Sequence, residues 1–458
     1  MTTEDIRSFE FSDLVERWRL ITLSAAVVAF SLSVIREFSG GPTPGADPAF
    51  LQHAGWYFTQ GAKPYIHFWD VKPPMTHLTT AVLAYFSFGN MFVLHIYSVT
   101  LITISGIVSV YLVAKATHHI TRDNLASLTA GICMLTIAGY HYHAAQGFYP
   151  KFLAITLGLA GIIFQLRQQP IYSGIVVALS AGYIQHGAVF SLLALGLAAQ
   201  YNGRRGVRIT LVAIATTTAL VLAPIFIIGS GEAMIVETII VFVSASEPSG
   251  NIAILRRLGK GFVYTGYASI PVLLGVYGLI RIAPKNLSKT WWVLSGATLY
   301  AVQIFFVDFD SYPDLFFGLI FVSIGTGLLV ASLKDRRRQA VTGVIIAVAV
   351  VSVTVLGGFG VVTNKTVYTD SLDDSLDKSD TLIHTSVKAI EGHFNAESMR
   401  RDSIKQDIER LNTQPSLDQY FWQKIIPETC HYRLSTTEIK WLKQTNRPIM
   451  ADTCGAWP

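Results

Sequence analysis

Long apolar runs separated by short polar connections fill the first three-quarters of the chain. They occupy residues 20–37, 92–115, 125–140, 150–166, 171–184, 187–201, 209–229, 262–282, 290–307, 314–332 and 340–362. Most come close to the ~20 residues a helix needs to cross the ~30 Å hydrocarbon core of a bilayer. The pattern predicts an α-helical polytopic membrane protein with about 11 transmembrane helices. One apolar stretch is different. "MTHLTTAVLAYFSFG", residues 75–89, has fifteen residues. At 1.5 Å per residue it reaches only about 22 Å, so it is expected to lie at the interface as a helix rather than to span.

The placement of Lys and Arg orients these segments. Arg17 and Arg19, Lys115 and Arg122, Arg167, the group Arg204, Arg205 and Arg208, then Lys285 and Lys289, then Lys334 and Arg336 to Arg338 all fall on one side of the predicted bundle. The opposite connections near 140–149, 184–187 and 308–313 carry no Lys or Arg. The positive-inside rule makes the basic side cytoplasmic. Residues 1–19 are then a cytoplasmic N-terminus and 20–362 a transmembrane domain. Residues 38–91 and 230–261 form long external loops, and 363–458 an external soluble domain. The first twenty residues are charged, and no small-residue cleavage site follows the first apolar run, so no signal peptide is expected.

Composition agrees with this layout. Of 458 residues, 51% are hydrophobic and 14% charged, against about 25% charged in a soluble domain. The net charge of +5 follows loop location and is no sign of nucleic-acid binding. Walker, Rossmann and zinc-ligand spacings are absent from the sequence. The tail begins with an acidic linker, "TDSLDDSLDKSD", and holds Cys430 and Cys454, which an external location invites to pair as a disulfide. Asn364 heads an external glycosylation tripeptide, whereas Asn286 heads one on the cytoplasmic side. Cys133 lies in a predicted span and is expected to serve as a small apolar filler.

Ionisable side chains outside the cytoplasmic connections gather on the external face. The first loop supplies Asp47, His53, Lys63, His67, Asp70, Lys72 and His77. His141, His143 and Lys151 flank the next external turn. Glu232, Glu237, Glu247, Arg256, Arg257 and Lys260 lie in the second loop, and Asp308, Asp310 and Asp314 in "VDFDSYPD". Charges near membrane depth are costly and tend to mark function, although loops tolerate them singly. The cluster offers carboxylates for base chemistry and cations for a phosphate. Trp56, Tyr57, Tyr65, Phe68 and Trp69 add aromatic rings that suit either a sugar or the headgroup belt.

The order of these elements resembles the GT-C superfamily of polytopic glycosyltransferases, which use polyprenyl-phosphate sugars. The resemblance rests on Asp47 in "GADPAFLQHAGWYFTQG", followed by "KPYIHFWDVKPPM" and an interfacial helix. In the tail, "IPETCHYRLS" and "DTCGAW" are similar to archaeal dolichol-phosphate-mannose mannosyltransferases of N-glycan assembly. The resemblance implies a GT-C-like fold and an external, lipid-linked donor. It makes Asp47 the base that deprotonates the acceptor hydroxyl and Lys72 the cation at the departing phosphate. Arg256 and Arg257 are further candidate phosphate ligands by location. Asp70 is a rival base or, two residues from Lys72, its orienting ion-pair partner. His53, Tyr65, His67, Trp69, His77, Tyr149, Lys151 and Asp310 are candidates to line the substrate cavity.

One departure is Pro48, which stands where many relatives carry a second acid after the leading Asp. The histidine spacings match no standard metal site, and neither a metal nor another cofactor is expected. Expected partners are the lipid-phosphate-linked sugar, a glycan or glycoprotein acceptor such as a surface-layer glycoprotein, and membrane lipids. Two other readings remain: a transporter or lipid flippase using Glu232 and Glu237, and a scaffold with the tail as its interaction domain.

Overall fold

The computed structural model describes residues 15–39, 46–65, 70–241, 251–307, 309 and 312–356. The expected soluble domain at 363–458, the cysteines Cys430 and Cys454, the Asn364 tripeptide, and His67, Phe68, Trp69, Glu247, Asp308 and Asp310 lie outside the described residues.

Each of the eleven apolar segments is helical over most of its described length. Helix α1 spans Trp18–Ser39. The first loop then forms α2, Ala46–Thr59, and α3, Pro74–Phe86. The chain continues through α4 (Met91–Thr121), α5 (Asn124–Met134), α6 (Ala138–Ala145), α7 (Pro150–Leu166), α8 (Pro170–Tyr183) and α9 (Ala188–Ile227). A short helix α10 (Gly231–Ile235) runs into a wider turn at Val236–Val241. Then come α11 (Asn251–Thr265), which begins within the second loop, α12 (Ser269–Arg281), α13 (Leu287–Val302), α14 (Leu315–Ser332) and α15 (Asp335–Val351). Among the described residues, six helical segments are long and apolar enough to cross a membrane, or seven if α6 and α7, bent by 117°, are one broken span.

Local chemistry sets the boundaries. Proline occupies the first helical position of α3, α7 and α8, where its missing N–H costs nothing. Asn90 caps α4 by accepting from Val93 N–H at 3.0 Å. Asp123 caps α5 from Ala126 N–H at 2.8 Å and also receives Arg338 of α15 at 2.6 and 2.7 Å. The basic connection thus locks a helix start to the last described span. The run 125–140, read as one span, is divided between α5 and α6 by a turn at 135–137. The runs 187–201 and 209–229 meet within α9 at Gly203, whose φ of 59° and ψ of −156° break the helix.

The core lies where α4, α5, α7 and α14 pack together. Phe30, Tyr140, Phe152, Phe316 and Phe321 are among its fully buried side chains. The first-loop helices are bound to this core. Helix α2 presses on α3 so closely that a Cβ at Gly55 would stand 2.5 Å from the Thr80 backbone, a distance only glycine permits.

Candidate active site

The segment 70–77 emerges as a buried, irregular stretch leading into α3. Asp70 is 2% exposed, Lys72 8% and His77 fully buried. Buried backbone outside regular structure must find side-chain partners for its polar groups. Here it does. The Asp70 N–H donates to Glu237 Oε2 at 3.2 Å, the Gln185 amide donates to the Val71 carbonyl, and the Tyr65 hydroxyl donates to the Lys72 carbonyl at 2.7 Å. Gln185 also donates to the Thr238 carbonyl at 3.0 Å. The Thr76 hydroxyl donates to the Tyr183 carbonyl at 2.7 Å, tying the start of α3 to the end of α8.

The charges sit within this frame. Lys72 Nζ lies 3.4 Å from Asp70 Oδ1, and the other Asp70 oxygen lies 3.2 Å from His77 Nε2. Burial alone would raise the Asp70 carboxyl. The Lys72 ammonium and the hydrogen bond and charge of His77 outweigh it and hold the group below the usual carboxylate range. Burial, then the Asp70 and Glu237 charges, push the Tyr65 phenol well above its usual value. It therefore stays protonated and keeps its role as donor. Tyr65 adopts φ 64°, the left-handed region that a bulky side chain avoids at a cost of roughly 1–3 kcal/mol. Its ring is 1% exposed, edge-on to His77 at 5.4 Å and packed with Ile225, Ala233 and Met234, which holds that conformation.

Asp47 occupies the first turn of α2 and is exposed. A carboxylate there suits the positive end of the helix dipole. Its neighbour Pro48 is buried against the turn at Gly147, and Gln52 of α2 bonds to the His95 ring at 3.1 Å. Asp47 therefore stands beside the turn 145–149. His53, further along α2, stacks with Trp56 and Tyr57 at 5.8 Å. Burial lowers its pKa to about 3, so it is neutral.

Other expected site residues fall into a second cluster. Lys151 is ion-paired with Asp314. Tyr149 stacks on His143 at 5.4 Å, and Tyr312 meets the same imidazole at 5.6 Å. Arg257 donates to the Phe305 carbonyl at 3.0 Å and Lys260 to the Phe309 carbonyl at 2.9 Å. Both bonds fasten α11 to the connection between α13 and α14. Arg256 lies on α11, and its side chain is outside the described residues. Among the described residues, no three of His, Cys, Asp and Glu are gathered as metal ligands.

Beside Arg257 an apolar cavity of about 590 Å³ runs between α11, α12, α13 and α14. Its wall passes from Arg257 and Leu258 by Phe262, Leu273 and Leu319 to Pro284. Phe262 and Leu273, each 52% exposed, open it on the outer surface of the bundle.

Two groups escaped the sequence reading. Gln185 is a lone amide in the break between two apolar runs, and that position was its only signal. Glu37, 1% exposed at the end of α1, is a buried carboxylate whose charge bears on Tyr142. It stands in the sequence directly after Arg36, inside the last turn of an apolar helix.

Known proteins share both the sequence and this architecture. The sequence profile of a family described as DolP-mannose mannosyltransferase matches residues 61–224, which include the Lys72 segment. A dolichol phosphate-mannose mannosyltransferase from Haloferax volcanii is 31% identical over 452 residues, 95% of this chain and 97% of that one. Among solved structures, ArnT from Cupriavidus metallidurans bound to undecaprenyl phosphate superposes with a TM-score of 0.51 at 11% identity. The match covers 97% of this chain and 74% of that one. The Archaeoglobus fulgidus oligosaccharyltransferase complex with zinc and sulfate gives a TM-score of 0.51 at 13% identity, over 87% of this chain and 56% of that one. At such identities the likeness shows a shared fold, the GT-C fold expected from the first loop. With the Haloferax protein matched along nearly all of both sequences, the chain belongs to the dolichol phosphate-mannose mannosyltransferase family.

Proposed function

We propose that this protein transfers mannose from a dolichyl or polyprenyl phosphate to an acceptor hydroxyl outside the cell membrane. The observation that carries the reading is the buried Lys72, held by Asp70 on irregular backbone in the same loop as Asp47. A buried cation of this kind suits a phosphate whose lipid chain lies in the bilayer. An apolar groove suited to such a chain lies beside Arg257, the other candidate phosphate ligand.

In this reading the acceptor oxygen attacks the anomeric carbon of mannose from the face opposite the phosphate. The bond from that carbon to the phosphate oxygen breaks, and its electron pair remains on the departing dolichyl phosphate. The hydroxyl proton passes to the Asp47 carboxylate. One displacement needs one base and inverts the anomeric centre, unlike the two-carboxylate chemistry of a retaining hydrolase. Charge builds on the leaving oxygen, and Lys72 is placed to neutralise it. A positioned donor of this kind is worth about 10²–10³-fold in rate. Asp70 orients the lysine. The lipid phosphate is already an activated leaving group, so no cofactor is called for.

The acceptor fits the terminal position of an N-glycan on a surface-layer glycoprotein, with the N-terminus cytoplasmic and residues 363–458 outside. The test is transfer of labelled mannose from synthetic dolichyl-phosphate mannose to a membrane extract by purified protein. Loss of transfer in Asp47→Asn together with activity in the wild type supports the reading. A wild-type protein that binds the donor but transfers nothing defeats it.

A further inference from the structure

The backbone that carries Lys72 is held by Tyr65 and Asp70 of its own loop and by two side chains from elsewhere in the fold. Gln185 lies in the short turn Gln185–Gly187 between α8 and α9, and Glu237 in the wide helical turn that closes α10. Glu237 is fully buried and accepts the Asp70 N–H at 3.2 Å. Gln185 spends both amide hydrogens on carbonyls, one at Val71 in the first loop and one at Thr238 beside Glu237. Its amide therefore joins the two external loops directly. Beneath this bridge, Tyr65 packs on Ile225, Ala233 and Met234, so the same two segments also share an apolar floor. Residue 241, four positions beyond Glu237, is the last described before residue 251, where α11, the helix that carries Arg257, begins.

We infer that Gln185 and Glu237 form a clamp that fixes the position of Lys72 relative to the second external loop, and that both are positioning residues for transfer. The inference rests on the reading of Lys72 as the cation at the departing phosphate. The physical reason is geometric. An ammonium on a four-carbon stem neutralises an oxygen only if its backbone is placed to within a fraction of an ångström, and residues 70–72 lie outside any helix that could place it. A misplacement of about 1 Å costs on the order of 100-fold in rate. Gln185 and Glu237 act through the backbone of residues 70 and 71 and need touch neither sugar nor phosphate.

Two readouts test this, one of which needs no substrate. The first is modification of Lys72 by an amine-reactive anhydride in the detergent-purified full chain, followed by peptide mass spectrometry, with exposed Lys285 and Lys289 as internal controls. The second is kcat and donor KM for mannose transfer. Gln185→Glu keeps the size of the side chain but removes both amide donors and faces two carbonyls with a carboxylate. Glu237→Ala removes the acceptor, and Glu237→Gln restores one.

The clamp predicts Lys72 modification faster by about tenfold or more in Gln185→Glu and Glu237→Ala, with the controls unchanged. It also predicts kcat lower by about 100-fold with a much smaller change in KM, and recovery of most of both in Glu237→Gln. Wild-type rates of Lys72 modification in Gln185→Glu would overturn the assignment, as would full kcat in that variant. Should Glu237→Ala fail to fold, Gln185→Glu carries the test alone. A wild type that transfers no mannose while Lys72 modification still accelerates in Gln185→Glu would remove the proposed activity and leave the clamp standing.

Discussion

Asp70 and Asp47 can be told apart by a single exchange of each carboxylate for its amide, because the structure gives them opposite costs. Asp70 is 2% exposed and 3.4 Å from the Lys72 ammonium. At that separation and an effective dielectric constant of about 20, the gross attraction is about 5 kcal/mol. Asp70→Asn keeps the shape and an oxygen that can accept the Lys72 N–H, now at 3.1 Å, but removes the carboxylate that is ion-paired with a buried cation. Removing one partner of a buried pair costs about 3–5 kcal/mol, and the retained hydrogen bond places the expected loss at the lower end, about 3 kcal/mol. Asp47 is exposed on the first turn of α2, so Asp47→Asn forfeits only a dipole interaction, within about 1 kcal/mol. The two variants should therefore part company. Asp70→Asn should melt earlier in detergent and retain measurable transfer, while Asp47→Asn should melt as the wild type and transfer nothing. Thermal unfolding followed by tryptophan fluorescence, beside radiolabelled mannose transfer, reads both. Transfer that vanishes in Asp70→Asn at unchanged melting temperature and persists in Asp47→Asn would refute the assignment and make Asp70 the base.

Further outcomes are expected elsewhere. Lys72→Ala should weaken donor binding and lower kcat by about 10²–10³-fold, seen in donor titrations of initial rate. Asp123→Ala removes the cap of α5 and the carboxylate that receives Arg338, which are 23% and 21% exposed. It should cost about 2 kcal/mol in detergent melting and leave transfer unchanged. His53 has its folded pKa lowered to about 3, below the ordinary ~6.5, so protons favour the unfolded chain. The stability linked to it is complete above pH ~6.5 and is lost as pH falls toward ~3. A His53→Phe protein should show a flatter melting profile across that window. Cys430→Ser should change mobility on a non-reducing gel and lower the stability of the tail, and reaction of both tail cysteines with a thiol probe in the intact protein would dismiss the bridge.

Much of this protein is written one residue at a time in its hydropathy and charge. Apolar length alone locates helices α1, α7, α8 and α14, because a span must satisfy its backbone within itself and cannot borrow from distant sequence. Prolines 74, 150 and 170 mark helix starts for an equally local reason. The pairing of Asp70 with Lys72 follows from two residues' separation. The turn at 135–137 was not legible, since apolar composition continues through it and only packing shows where the helix yields, whereas the break at Gly203 falls in the polar connection "YNGRRGVR" that already separated the runs 187–201 and 209–229. Nor did local sequence show that Glu237, 167 positions from Asp70, receives its backbone N–H, or that Gln185 joins the two loops. Those contacts depend on how α8, α9 and α10 converge on the first loop, and no pattern within any one of them specifies it. The helices come from short-range chemistry, while the surroundings of Lys72 come from buried polar groups that found partners only once the chain had folded.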